Sequence, residues 1–410
     1  MEYFFRTMFE QFFALEPFAY VQMLVMLTIG CVLVYLAIGK KMEPTLLLPL
    51  GFGTIIVNLP LSGAIGRLLV RRDLYVLDEL TGEIVAQQGW WTSEGGPIPL
   101  LYEFGIATEL FPLLLFVGIG AMIDFGPLLA NPKLLFFGAA AHVGVYLTLV
   151  LAAVIGHYTD MFTLQDAAAI AAIGTADGPT AIFVSNYYRT PYMGAILVAA
   201  YSYMALVPII QPPCIRLVTT RRERMIRMPY ARESVSKQVR IIFPIVVTIV
   251  AGIIVPRAVA LVGFLMFGNL MRECLVTNSL SDTAQNALAN IITIILGIAV
   301  AFQMHYAQFL RVDTLIVMAL GLFAFAANSV GGVLFAKVIN LFAKNKMNPM
   351  IGACGISAFP MSSRVIHKMG LKEDPQNFLL MHAAGVNVGG QISSVIIGGL
   401  LLGMIPRAIG

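Results

Sequence analysis

The chain has 410 residues, 59% of them hydrophobic and only 12% charged, with a formal net charge of +4. Soluble domains carry about twice that share of charge, so a soluble globular fold is excluded and lipid has to cover part of the apolar surface. The cysteines Cys31, Cys214, Cys274 and Cys354 form no CxxC pair, which argues against a disulfide framework or a zinc centre.

Residues 1–19 mix aromatics with Glu2, Arg6, Glu10 and Glu16 and read as an amphipathic segment lying at the membrane interface. They lack the basic start and small-residue cleavage site of a signal peptide. Apolar windows of spanning length follow at 20–38, 109–130, 134–155, 192–210, 241–267, 287–302 and 314–342. Shorter or Gly/Pro-interrupted ones lie at 45–61, 167–185, 348–361 and 378–405. The pattern predicts an all-α polytopic membrane protein with about ten to eleven membrane helices. An N-terminal membrane half (20–212) and a C-terminal half (241–410) flank a basic loop (213–240). The polar insert 63–102 is too short and too poor in core residues to fold alone.

The basic loop carries Arg216, Arg221, Arg222, Arg224, Arg227, Arg232, Lys237 and Arg240 against Glu223 and Glu233. The positive-inside rule places it in the cytoplasm. Arg67, Arg71 and Arg72 suggest the same side for the insert. Four crossings between the two, starting near Glu103, Leu134, Asp166 and Tyr192, agree with that placement.

Two stretches break the lipid-span pattern. Residues 173–182 (IGTADGPTAI) put an acid, two glycines and a proline inside an apolar window. Unwound backbone at membrane depth is tolerated only against protein or a water-filled cavity. Asp177 there is either a cation or proton ligand or the cap of a helix that Pro179 begins. Residues 348–364 (NPMIGACGISAFPMSSR) are broken again, with oxygens from Asn348 and Ser357. Farther on, Asn387, Gln391 and Ser394 punctuate the last window. One broken helix per half is the layout of inverted-repeat transporters, whose paired discontinuous helices hold a small cation near the midplane. Asp, Asn, Ser and Thr oxygens suit a hard cation and not zinc or copper.

These strings resemble the β subunit of the biotin-dependent, sodium-pumping decarboxylases acting on oxaloacetate, glutaconyl-CoA, methylmalonyl-CoA or malonate. The resemblance runs through 118–131 (GIGAMIDFGPLLAN), 174–185 (GTADGPTAIFVS), 201–213 (YSYMALVPIIQPP), 268–299, 348–364 and 377–390 (NFLLMHAAGVNVGG), in family order. It implies a subunit in the cell membrane, in bacteria the inner membrane. Such a subunit decarboxylates carboxybiotin, releases CO2, exports sodium and consumes a proton. The resemblance makes Asp177 the essential acid and Tyr203 and Arg364 functional partners. It places Asn348, Ser357, Asn387 and Ser394 at or near sodium. The implied cofactors are sodium and a biotin carried by another chain. The implied partners are a carboxyltransferase alpha subunit, a biotin-carrier subunit and a small membrane gamma or delta subunit. The segment GVNVGGQISS departs from the family in lacking a proline before Asn387.

Read on its own chemistry, Arg364 is either a bidentate carboxylate clamp or a snorkelling helix-end arginine. Asp124 reads as a cap before Pro127. The chain has neither a biotin-carrier Met-Lys-Met string nor a P-loop, so energy has to arrive through other subunits or an ion gradient. A secondary cation/proton or sodium/carboxylate transporter is the alternative, since it shares the broken-helix layout.

Overall fold

The computed structural model describes residues 17–41, 44–59, 64–65, 74–77, 84–87, 96–229 and 235–406. Nearly all of the predicted amphipathic segment and most of the polar insert lie outside the described residues. Within them the chain is helical, apart from two short antiparallel strands, Leu74–Leu77 and Ile84–Gln87, in the insert. Among the described residues, seven helices are long and apolar enough to cross a membrane. An eighth counts if Pro97–Ala107 and Leu110–Met122, bent by 64°, form one span. This falls short of ten to eleven because other membrane elements are short or broken. Pro44–Asn58 and Val259–Glu273 have 15 residues each. The window 241–267 is not one span: Lys237–Ile254 ends before Pro256, which has no N–H to continue the ladder, and the chain turns back as Val259–Glu273.

Lipid contact is uneven. Ile242, Ile249, Ile253 and Ile254 on the Lys237–Ile254 helix are exposed, as a lipid-facing surface requires. The last helix, Leu380–Met404, is buried along nearly its whole length. Its glycines and serines let neighbours approach closely, the common packing device between membrane helices.

The two interrupted stretches are helical hairpins, each entering and leaving on one side. In the first, Leu164–Ala172 descends, a short 3-10 turn Ile173–Thr175 follows, and Gly178–Tyr188 returns. Its two feet are tied together: Thr190 Oγ1 donates to Asp166 Oδ1 at 2.5 Å, and the Tyr192 hydroxyl donates to Met161 O at 2.7 Å. Asp166 also closes a capping box with Thr163, which satisfies the free amides where the first arm begins. In the second hairpin the 3-10 segment Pro349–Gly355 descends and Met361–Glu373 returns. Both of its feet rest on the basic loop. Asn348 Nδ2 donates to Arg224 O at 2.8 Å, and Arg224 pairs with Glu373 at 2.8 Å. Gly352 of the descending arm packs on Gly332, where a Cβ at either position would lie 2.0–2.1 Å from the other's carbonyl oxygen. No side chain larger than hydrogen fits that approach.

The hairpins enter from opposite ends of the bundle. Met193–Val218 starts at the feet of the first and runs into the basic loop that holds the feet of the second. Lys337, near the end of Val312–Phe342, reaches Val218 O at 3.1 Å, so that helix finishes at the basic-loop end too. Crossing helix, hairpin and crossing helix thus occur in the order Pro132–Thr159, 164–188, Met193–Val218, and again as Val312–Phe342, 349–373, Leu380–Met404 with the directions reversed.

The expected sidedness of the insert is corrected by the same geometry. Residues 164–188 form a hairpin, not a crossing, so the even count of four becomes three. The flanks of the insert sit at the first hairpin's feet. The Tyr102 hydroxyl contacts Met193 Sδ at 3.3 Å, while Asn58 donates to Met304 O and accepts from Tyr306 N, both at 2.8 Å. The described flanks of the insert and the described part of the basic loop therefore lie at opposite ends of Met193–Val218, 26 residues or about 39 Å at helical rise. Three arginines in the insert are too weak a signal against the dense charge of the other loop.

Candidate ion site between two broken helices

The hairpin tips meet. Ser357 N donates to Thr175 O at 3.2 Å, joining the break in one hairpin to the break in the other. Just before the first tip turns, Ala176 sits in the left-handed region at φ 53°, ψ 38°. A non-glycine residue there costs about 1–3 kcal/mol, and the conformation aims Asp177 into the junction. Asp177 occupies the N-cap position of Gly178–Tyr188. Its Oδ2 accepts the Thr180 hydroxyl at 2.5 Å and the Ser394 hydroxyl at 3.3 Å. Asp177 is 3% exposed, so water cannot carry the charge of its carboxylate. Hydroxyl groups can, and each keeps lone pairs for a cation.

The last helix supplies the rest of the junction. Ser394 and Gln391 lie one turn apart, and Gln391 Oε1 accepts the Ser357 hydroxyl at 2.7 Å. A further turn back, Asn387 Nδ2 donates to Ile356 O at 2.7 Å and Cys354 O at 3.2 Å. Those two bonds fix the amide orientation. They leave Asn387 Oδ1, fully buried, with no donor among the described residues. Asn328 on Val312–Phe342 is in the same condition: its Nδ2 bonds Gly174 O in the first tip, and its Oδ1 meets no donor. A buried acceptor without a donor costs about 1–3 kcal/mol, a cost that a bound hard cation removes. The His, Cys, Asp and Glu side chains among the described residues form no group able to hold a transition metal. Uncharged oxygens around one carboxylate fit sodium.

Of the residues singled out in the sequence, the structure gathers Asp177, Ser394, Ser357 and Asn387 at the tips. Asn348 does not join them. It stands at the foot of the second hairpin, where its Nδ2 is committed to Arg224 O and Ile226 O and its Oδ1 caps Met350 N at 3.1 Å. All of its polar side-chain atoms are bonded to backbone groups there. Tyr203 donates to Met318 O at 2.7 Å and ties two crossing helices together. Arg364 is exposed in the first turn of Met361–Glu373. Asp124 accepts from Gly126 N at 2.8 Å, a local turn that matches the reading of a cap. Thr180, Gln391 and Asn328 were not among the predicted site residues. A signal for Asn328 was present, since an amide inside an apolar span has to find a partner.

Residues 22–405 match the family described as the Na+-transporting oxaloacetate decarboxylase beta subunit. The chain belongs to this family. It is 49% identical over 382 residues to the methylmalonyl-CoA decarboxylase subunit beta of Propionigenium modestum, covering 93% of this chain and 94% of that one. It is 44% identical over 407 residues to the oxaloacetate decarboxylase beta chain of Klebsiella pneumoniae, covering 92% and 94%. The methylmalonyl-CoA decarboxylase subunit beta of Veillonella parvula is also 44% identical, over 383 residues and 93% of each chain. The protein is thus a multi-pass membrane subunit of a multisubunit decarboxylase coupled to sodium transport, and sodium is its transported ion.

Proposed function

We propose that this beta subunit decarboxylates carboxybiotin delivered by a partner chain and couples the release of CO2 to sodium export, taking up a proton. The observation that carries the reading is the junction of two opposed hairpin tips around one buried carboxylate. Each hairpin enters from a different end of the bundle, which is the layout by which a fixed site opens alternately to the two sides. Asp177 would hold sodium, with Ser394, Ser357 and Asn387 as neutral oxygens.

Arg364 would bind the carboxylate of carboxybiotin. It lies nine residues before Glu373, about 13 Å inward along the returning arm, yet it is exposed. A cation that deep needs a water-filled cavity or an anionic partner. The basic loop marks its end of the bundle as cytoplasmic, so the cavity would open toward the partner subunits. Breaking the N–CO2 bond leaves charge on the ureido nitrogen, which then takes a proton. Tyr203, with its hydroxyl on a backbone carbonyl, would act by positioning. The partners would be a carboxyltransferase alpha subunit, a biotin-carrier subunit and a small gamma or delta membrane subunit. The relatives' names divide between oxaloacetate and methylmalonyl-CoA, and the choice of acid would rest with the carboxyltransferase.

The test is purification in mild detergent, followed by biotin blotting and a sodium titration of decarboxylation. A biotinylated partner and sodium-stimulated CO2 release are expected. Sodium-driven uptake of a carboxylate by the chain alone, with no biotinylated partner, would favour the transporter alternative.

A further inference from the structure

Tyr201 has no part in the roles above. It lies in the Met193–Val218 helix, is 1% exposed, and its hydroxyl has no hydrogen-bond partner among the described residues. Buried tyrosine hydroxyls ordinarily find one. Its surroundings point to what takes that place. The ring packs against Gly178, the residue after Asp177. A Cβ at Gly178 would lie 2.3 Å from Tyr201 Cε1 and Cζ and 2.7 Å from the hydroxyl oxygen. Gly178 has no side chain because the phenol occupies that space. The phenolic oxygen is thereby fixed against the first residue of the arm that Asp177 begins. Tyr203, two residues on, has its hydroxyl on Met318 O instead. Tyr201 also belongs to a different apolar cluster from most of the hairpin, with Leu197, Val198 and Ile182, whereas Ser394 reaches Asp177 from the last helix.

We propose that Tyr201 completes the ion site as a neutral oxygen ligand to the cation held by Asp177. The inference rests on Asp177 being the ion-binding carboxylate. A phenol suits the place: it is a hard oxygen donor that stays neutral, so it adds a ligand without a second negative charge in the membrane interior. It also brings an oxygen from a helix outside the hairpin, so that ion occupancy would tie the first tip to Met193–Val218.

The assembled complex carrying Tyr201→Phe tests this. The ring is kept and only the oxygen is lost. Two sodium titrations are read, thermal stabilisation of the complex and decarboxylation rate. Half-saturation should rise about tenfold in both, the usual cost of one hydrogen-bond-scale ligand, while stability without sodium stays unchanged. Gly178→Ala, whose methyl displaces the ring, should reproduce the shift, and the double variant should be no worse than either single one. Unchanged sodium midpoints in Tyr201→Phe overturn the proposal. Asp177→Asn in the same assays separates the two ideas. Wild-type sodium stabilisation in that variant removes the site itself, whereas its loss alongside a normal Tyr201→Phe removes only the tyrosine.

Discussion

Ser394 and Asp177 stand 217 positions apart in the chain, and the serine hydroxyl lies 3.3 Å from the carboxylate. The contact joins the last helix to the first hairpin. Asp177→Asn is expected to abolish sodium-stimulated decarboxylation while the subunit still inserts and assembles. Ser394→Ala removes one long bond to a charged oxygen, so its sodium half-saturation should rise about three- to tenfold. Sodium titrations of CO2 release from the assembled complex check both. Wild-type sodium dependence in Asp177→Asn would take the carboxylate out of the site.

Asn348 should behave differently. It caps the descending arm of the second hairpin and pins it to the basic loop. Replacing it by Ala loses a cap worth about 1 kcal/mol and takes a donor from Ile226 O, while Arg224 O keeps the one from Asn377 Nδ2 at 3.0 Å. The expected result is a lower melting temperature with an unchanged sodium midpoint. A raised midpoint at normal stability would return Asn348 to the ion site.

Sidedness is open to direct labelling. In a background with the four native cysteines replaced, a cysteine placed at Gly82 and one placed at Ser236 should react from opposite faces of the membrane. Labelling of both from one face would contradict the three-crossing arrangement.

Much of this architecture was legible in the sequence because its signals are local. Gly174, Gly178 and Pro179 mark one break, and Pro349, Gly352, Gly355 and Pro360 mark the other. The composition alone demands lipid. What was not legible depends on direction. A broken apolar stretch of about 25 residues reads the same whether it crosses or returns, and it is the Thr190–Asp166 and Tyr192–Met161 bonds that show that the first one returns. The same limit placed Asn348 with Ser357: they are nine residues apart, but one is at the foot of an arm and the other at its tip. Tyr201 and Tyr203 also share one motif, and the helix turn that sends their hydroxyls to different places is not written in it.

The basic loop is held to the second hairpin by ion pairs that titrate. Arg227 lies 2.5 Å from Asp374, and its hydrogen bond holds that carboxyl below the ordinary range. A depressed folded-state pKa contributes stability that is present above the unfolded value and lost as pH falls through the folded one. Docking of the loop should therefore be insensitive to pH near neutrality and weaken in acid, below about pH 4. High salt should weaken it further, because the pair is at the surface. Limited proteolysis of the loop as a function of pH checks this. Asp374→Asn should lose the acid-dependent step that this pair contributes and show easier cleavage at neutral pH.

The junction itself predicts coupling between Ser357 and Ser394. Ser357 donates to Gln391 Oε1 at 2.7 Å, and the Ser394 hydroxyl shares its one proton between Gln391 O at 2.9 Å and Asp177 Oδ2 at 3.3 Å. One glutamine thus receives a hydroxyl from each side of the site, while the backbone amide of Ser357 holds Thr175 O at 3.2 Å. If these groups surround one ion, removing either hydroxyl loosens the same cluster. Ser357→Ala and Ser394→Ala should each raise the sodium midpoint. The double variant should fall short of or exceed the product of the two by about threefold or more, the range for residues sharing partners. Were Ser357 only a packing residue of the second tip, its variant would lower stability, leave the midpoint in place and combine additively with Ser394→Ala. Full double-mutant cycles, read both as sodium midpoint and as melting temperature, distinguish these outcomes, because an ion ligand moves the first quantity and a packing contact moves the second.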